Sequence, residues 1–384
     1  MSRLQKLFFF VVIIFIVFYL MGGPKVFDFF SEKKIDHQYL SLFAEIAGKT
    51  KRNYFENVQP GQKFPGAYTG MLRSLDKSSA YLNPRQTAVY DLYRSGTYCS
   101  TGIYGVRLSG YFYISDVVKD SPAQKAGLIP GDVIKTVGDN SLYALPYYQM
   151  HLSLLSAEPG DIQVSVYKKA AGKTIKINLQ TQLSVSSARV KEIAAGKLLV
   201  ELPKIDKTAV KYLKEKLKNT RPLKLIIDLR RYSGGDFASF LEIAGIFFND
   251  RLLQPFPFPL TLKKKKGSRE FLLGSKDAPD YKAVVIVNRS TIMYGELLAL
   301  LFKNCKQGVT LIGAGTPGFI SKLKQVKFDD GSSVLLSEGF FLVGGKNAAG
   351  SGVTPHIELK NKEFANILDR CTALMDEEQQ PHGK

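Results

Sequence analysis

Apolar and polar positions change rhythm several times along this chain, and each change predicts a different kind of element. An unbroken apolar run covers Leu7 to Met21, with Arg3 and Lys6 before it and Gly22-Gly23-Pro24 behind it. Between Lys25 and Pro60 the composition is mixed and charged, and Tyr39, Leu40, Phe43 and Ile46 recur at helical spacing. Ala67–Asp76 reads as a helix that stops at a polar turn, and a second helix is predicted to start near Pro84.

From residue 99 to about 182 the texture becomes short alternating strands broken by glycines. Val106–Leu108 and Tyr111–Val117 are predicted strands joined around Ser109-Gly110, followed by a helix around Pro146–Ser156. Ile162–Tyr167 and Thr174–Leu179 form a closing hairpin turned at Ala171-Gly172.

From Lys197 onward strands alternate with helices. Leu198–Leu202, Leu225–Leu229, Ala283–Val287 and Val309–Ile312 read as strands, and Asp206–Leu217 and Glu296–Phe302 as helices. After Leu229 comes the turn signal Ser233-Gly234-Gly235, then a helix with Phe237, Phe240, Leu241, Ala244 and Phe248 on one face. Strand, glycine turn and helix make half of a βαβ unit. Backbone N–H groups exposed at such a turn are where an α/β fold receives an anion or an oxyanion.

Charge then narrows the partners. Lysine and arginine number 53 against 34 acidic residues in a chain of 384, a net charge of +19, so something anionic is expected nearby. The N-terminal run excludes nucleic acid, because it exports whatever follows it. No small-x-small cleavage site follows the run, which favours an uncleaved single-pass anchor in the cytoplasmic membrane through residues 7–23 over a removed signal peptide. The bulk of the chain is then periplasmic or otherwise extracytoplasmic. Lys263, Lys264, Lys265 and Lys266 read as a solvated hairpin or loop, with contact to an anionic surface as the alternative.

Cys99, Cys305 and Cys371 are far apart and form no CxxC pair, and His37, His151, His356 and His382 are scattered. The sequence therefore implies no metal and no cofactor.

Two resemblances follow from these stretches. Ser121-Pro122-Ala123-Gln124-Lys125-Ala126-Gly127-Leu128 with Pro130-Gly131-Asp132-Val133-Ile134 resembles a PDZ domain. Such a domain takes an extended peptide as an added strand and holds its C-terminal carboxylate on the N–H groups of a hydrophobic-Gly-hydrophobic loop. Ile103-Tyr104-Gly105-Val106 matches that loop by type and position, so protein or peptide C-termini are the implied partners; the alternative is a groove filled by the protein itself.

Taken in order, the motifs resemble the S41 family of C-terminal processing (tail-specific) serine peptidases. GMLRSLDKSSAYLNP is similar to the family's helical lead-in, LIIDLRRYSGGDF to its DLRxNxGG signature, and VVIVNRSTIMYGELLALL to its nucleophile segment. FDDGSSV and GSGVTPHIEL are similar to its closing elements. The implied architecture is α/β and multidomain: an anchor at 1–24, a helical region at 25–98, a PDZ domain at 99–182, a peptidase-like domain at 183–375 and a polar tail at 376–384.

The family mechanism implied by the resemblance is a serine nucleophile, a lysine base and an assisting glutamine. The oxyanion hole comes from backbone N–H groups at the nucleophile and the glycine pair. Carried over between Asn288 and Glu296 without a gap, the serine position is Met293. Counted back from the Phe328-Asp329-Asp330-Gly331 element, the lysine position is Phe319 and the glutamine position Leu323. Gly234, Gly235 and Tyr294 are the oxyanion-hole remnant by the same register.

A thioether cannot be deprotonated to attack a carbonyl, and a phenyl ring cannot accept a proton. The resemblance therefore implies a pseudoenzyme that binds C-termini as an adaptor or decoy, or partners an active peptidase or an envelope protein. The alternative is an active endopeptidase using displaced groups, with Ser290 and Lys322 as candidates.

Overall fold

A computed structural model gives the fold, and it describes residues 37–55, 60–184, 187–218, 224–232, 234–248, 259–273, 281–305 and 308–376. The anchor expected at residues 7–23, Ser233 and the tail after Asp376 lie outside the described residues. Among the described residues, no helix is long and apolar enough to cross a membrane. The chain divides into two compact units, one ending at Phe64 and one starting at Pro65.

The first unit contains helix α1 (His37–Asn53), formed where the apolar spacing predicts it. Its Tyr39, Leu42, Phe43 and Ile46 remain largely exposed. Helix α2 spans Pro60–Arg73.

In the second unit the polar turn after α2 is organised by Asp76, whose carboxylate accepts the Ser78 and Ser79 amides and the Ser79 hydroxyl. A short strand, β1 (Ala80–Leu82), follows, and then α3 (Pro84–Ser95). The start of α3 is a capping box: the Asn83 side chain accepts the Gln86 amide while the Gln86 side chain accepts the Asn83 amide, with Pro84 at the first helical position.

The β-rich stretch comprises β2 (Cys99–Ser100), β3 (Ile103–Leu108), β4 (Tyr111–Val117), the single turn α4 (Pro122–Lys125), β5 (Val133–Val137) and β6 (Asn140–Ser141). Helix α5 (Tyr147–Ser153), β7 (Leu155–Ser156), β8 (Gly160–Lys168) and β9 (Lys173–Leu183) complete it. Its sheet runs β3-β4-β5-β8-β9-β2-β7, with β6 on β5. Among the described residues no strand pairs with the outer edge of β3, and α5 packs beside it. The predicted helix at 146–156 is shorter at both ends. Pro146 only precedes it, and Leu155-Ser156 leave the helix to pair with Ser100 and Cys99.

The α/β portion holds β10 (Arg189–Ala194), β11 (Lys197–Glu201), α6 (Lys207–Lys218), β12 (Lys224–Asp228) and α7 (Phe237–Phe247). There follow the hairpin β13 (Pro259–Lys264) and β14 (Ser268–Leu272), β15 (Lys282–Val287), α8 (Met293–Cys305), β16 (Val309–Gly313), β17 (Ser321–Lys327) and β18 (Ser333–Val343). The chain closes with β19 (Lys346–Asn347), β20 (Ile357–Glu358), a 3-10 turn (Asn361–Asn366) and α9 (Ile367–Asp376).

Strands β11, β12, β15, β16 and β20 are parallel, and β10 adds antiparallel to β11. The β12 sequence Leu225-Ile226-Ile227 is apolar throughout because both faces are covered, as parallel sheets require. Leu225 and Ile227 enter the main core, while Ile226 joins Val284, Ile286 and Ile312 under Ile367, Cys371 and Met375 of α9. Those three α9 residues recur every fourth position, and burying each large one contributes about 1.5–3 kcal/mol.

A third sheet, β1-β18-β13-β14 with β17 and β19 also on β18, joins the lead-in to the C-terminal half. The Lys263–Lys266 run is the expected hairpin: two lysines end β13 and two enter its turn.

Candidate functional site

The site is built around the turn that launches α8. In that turn the Thr291 hydroxyl accepts the Asn288 amide and donates to the Leu229 carbonyl at 2.9 Å, while the Asn288 side chain accepts the Ser290 amide. This ties the end of β15 to the end of β12. The chain then enters α8 through Met293 with φ +50°, a left-handed conformation costing a non-glycine residue about 1–2 kcal/mol. The position implied for the nucleophile thus keeps a strained entry to its helix while carrying a thioether. Its sulfur accepts the Tyr148 hydroxyl at 3.0 Å.

Phe319 meets the same tyrosine. Its ring lies 6.3 Å from the Tyr148 ring, edge to face, and 5.0 Å from the Tyr147 ring. Glu296, one turn into α8, fixes the loop carrying Phe319. Its carboxylate accepts the Thr316 hydroxyl, the Gly318 amide at 2.6 Å and the Phe319 amide at 2.7 Å. Burial nonetheless raises the Glu296 carboxyl to about 7, against the lowering effect of those bonds. Leu323 sits at a bulge in β17 and packs on the main core.

Tyrosines fill the space behind these residues. Tyr147 stacks on His151 at 5.5 Å, His151 meets the Tyr93 ring at 5.3 Å, and Tyr148 meets Tyr90 edge-on at 5.9 Å. All five are buried. Burial alone lowers His151 to about 4, so its ring is neutral at pH 7, and its Nδ1 and the Tyr93 hydroxyl have no partner among the described residues.

The glycine pair lies where β12 turns toward α7. Gly235 has φ +148°, and a Cβ there would stand 2.1 Å from the Ile205 carbonyl oxygen. The turn is held through Ile205, whose amide donates to the Gly234 carbonyl and whose carbonyl accepts the Asp236 amide, each at 3.0 Å. Asp236 then caps α7 by accepting the Ser239 amide. Tyr294 stacks on Phe240 of α7 at 5.7 Å, and the Tyr232 ring covers Gly295. The glycine turn and the start of α8 are therefore neighbours. Arg231, in the same turn, pairs with Asp116 of β4 at 2.8 Å.

The fallback pair is not assembled as a dyad. Ser290 is buried, and its hydroxyl shares a short hydrogen bond with Ser115 of β4 and lies 3.4 Å from the Gly105 carbonyl. Lys322 instead pairs with Glu338 of β18, which also holds Lys264. Ile103, Tyr104, Gly105 and Val106, expected as a loop, are the first four residues of β3 and lie in register with β4. A bulge falls between Tyr104 and Gly105, and a Cβ on Gly105 would enter the Phe112 ring at 2.3 Å. Backbone pairing with β4 and close ring packing are what extend this segment.

Two contributors escape sequence reasoning. Tyr148 sits in a helix far from the motifs it touches, and Glu296 reads there only as an alignment anchor. A glutamate on the apolar face of a buried helix was the available signal for the second.

Residues 198–359 match the family model for peptidase family S41. The carboxy-terminal processing protease CtpA of Bacillus subtilis is 24% identical over 96% of this chain and 80% of its own length. A probable CtpA-like serine protease of Staphylococcus haemolyticus is 23% identical over 87% of this chain, which spans 66% of that relative. The solved photosystem II D1 C-terminal processing protease superposes with a TM-score of 0.62 at 19% identity, covering 86% of this chain and 90% of that one. The chain has the fold of the S41 C-terminal processing peptidases.

Proposed function

We propose that this chain is a catalytically inert peptide-binding protein on an S41 peptidase scaffold. The observation that carries the reading is the joint occupancy of the two chemical positions. Tyr148 donates to the Met293 sulfur and packs on the Phe319 ring, so a thioether, a phenyl ring and a phenol fill the place of a nucleophile and base. None of the three can generate an attacking alkoxide.

Peptide binding is supported by the edge of β3. A free strand edge beside a helix is the arrangement that accepts an added peptide strand, and α5 lies beside β3. On this reading residues 99–182 act as a PDZ module, and residues 7–23 hold the protein in a membrane with its body outside the cytoplasm. The protein then serves as an adaptor, a decoy or a companion of an active peptidase.

The test is activity-based labelling of the full-length protein with a fluorophosphonate, alongside casein hydrolysis. No labelled serine and no hydrolysis are expected. Labelling that disappears in Ser290→Ala would establish the displaced-nucleophile reading instead. Calorimetry with short peptides bearing free or amidated C-termini tests the binding half.

A further inference from the structure

A recess of about 580 Å³ opens between the edge of β3 and the loop that carries Phe319. Val106 and Phe319 give it apolar wall, and three guanidinium groups line it: Arg73, Arg107 and Arg289. Arg73 donates to the Ala144 carbonyl at 2.8 Å, and Arg107 donates to the next carbonyl, Leu145, at 2.9 Å. Consecutive carbonyls of one turn therefore hold two like charges side by side. That turn is itself strained, since Ala144 has φ +61°.

Such an arrangement is unfavourable without a counter-charge. Arg107 shows it: burial first, and the charge of Arg73 second, depress its guanidinium below the usual value. Among the described residues, none of the three arginines forms an ion pair. Two carboxylates line the recess. Asp76 is spent on Ser78 and Ser79, and Glu358 is exposed and forms no ion pair among the described residues. The balance of charge is positive.

The geometry points to a carboxylate-binding recess in which Arg107 and Arg289 receive an acidic group of a bound peptide while Val106 and Phe319 take its apolar part. Guanidinium forks match carboxylates bidentately, and Val106, Arg107 and Leu108 of β3 line the recess. The inference rests on the peptide-binding reading and adds the chemistry of the ligand. The acidic group is either a free C-terminus or an Asp or Glu side chain.

Fluorescence anisotropy with the full-length protein separates these sources. Three labelled pentapeptides of one sequence are compared: an internal Glu with a free C-terminus, the same peptide amidated, and the amidated peptide with Gln for Glu. A charge-assisted hydrogen bond predicts that the neutral peptide binds about tenfold more weakly than at least one charged form. Arg289→Gln, which breaks no hydrogen bond or ion pair among the described residues, is expected to weaken charged peptides about tenfold. Glu358→Gln should tighten them, and Lys265→Gln should change nothing. Equal affinity for the neutral peptide, or an unaltered Arg289→Gln protein, overturns the recess and leaves the peptide-binding reading standing. Failure of every peptide to bind overturns both.

Discussion

The Tyr148 hydroxyl and the Met293 sulfur lie 3.0 Å apart, joining the helix beside β3 to the strained first residue of α8. A neutral donor on a thioether is a weak bond, so Tyr148→Phe is expected to cost no more than ~1 kcal/mol in urea denaturation. Met293→Ser is expected to give no hydrolysis, since a serine still needs a base and Phe319 offers none. Turnover in that single variant, above an untreated casein control, would show that a group other than residue 319 serves as base.

Phe319 contributes through packing. It is 5% exposed and wedged against two tyrosines, so Phe319→Ala should lose ~3–5 kcal/mol of stability. Phe319→Leu, which keeps most of the volume, should lose far less. Equal losses in the two variants would remove the packing explanation.

Gly235 cannot carry a side chain without moving the backbone of Ile205. Gly235→Ala is expected to destabilise by roughly 3 kcal/mol or more, combining a forbidden φ with a clash on a carbonyl oxygen. A melting temperature within a degree of the parent protein would show that the turn can relax.

Two buried groups give stability opposite slopes with pH. His151 falls from 6.5 to about 4 on folding, so its contribution is present above pH 6.5 and is lost as pH drops toward 4. Glu296 rises from 4.5 to about 7, so its contribution is present below pH 4.5 and is lost as pH climbs through 7. Stability is therefore expected to peak between these limits. Urea midpoints measured from pH 4 to 8 test this: Glu296→Gln should flatten the decline near neutrality, and an unchanged slope would mean another group causes it.

How much of this was legible depended on how local each signal is. The parallel strands were readable because Leu225–Leu229 and Ala283–Val287 are continuous apolar runs, and the capping residues of α3 announce its start. Strand β1 was hidden: three residues are too few for a period, and its partner is Leu335. Strand β17, Ser321–Lys327, alternates lysine with leucine and valine but carries no turn glycine to mark it. At the site, the motif spacing led to Met293 and Phe319, and both touch Tyr148. Nothing in the spacing could name Tyr148, because its contacts depend on how α5 is carried onto the α/β portion. Ile103–Val106 matched a carboxylate-holding loop by residue type and position, and what the match could not show is that pairing with β4 and the Phe112 ring against Gly105 hold the segment extended.

The pairing of Ala80-Tyr81-Leu82 with Ser333-Val334-Leu335 has a consequence for biogenesis. The early segment has no sheet to join until almost the whole polypeptide has been synthesised, so incomplete chains present a naked strand edge. Closing so distant a contact is slow and leaves the intermediate open to aggregation or to a holding chaperone. Truncations that end before β18 should therefore lose the lead-in as well as the C-terminal half.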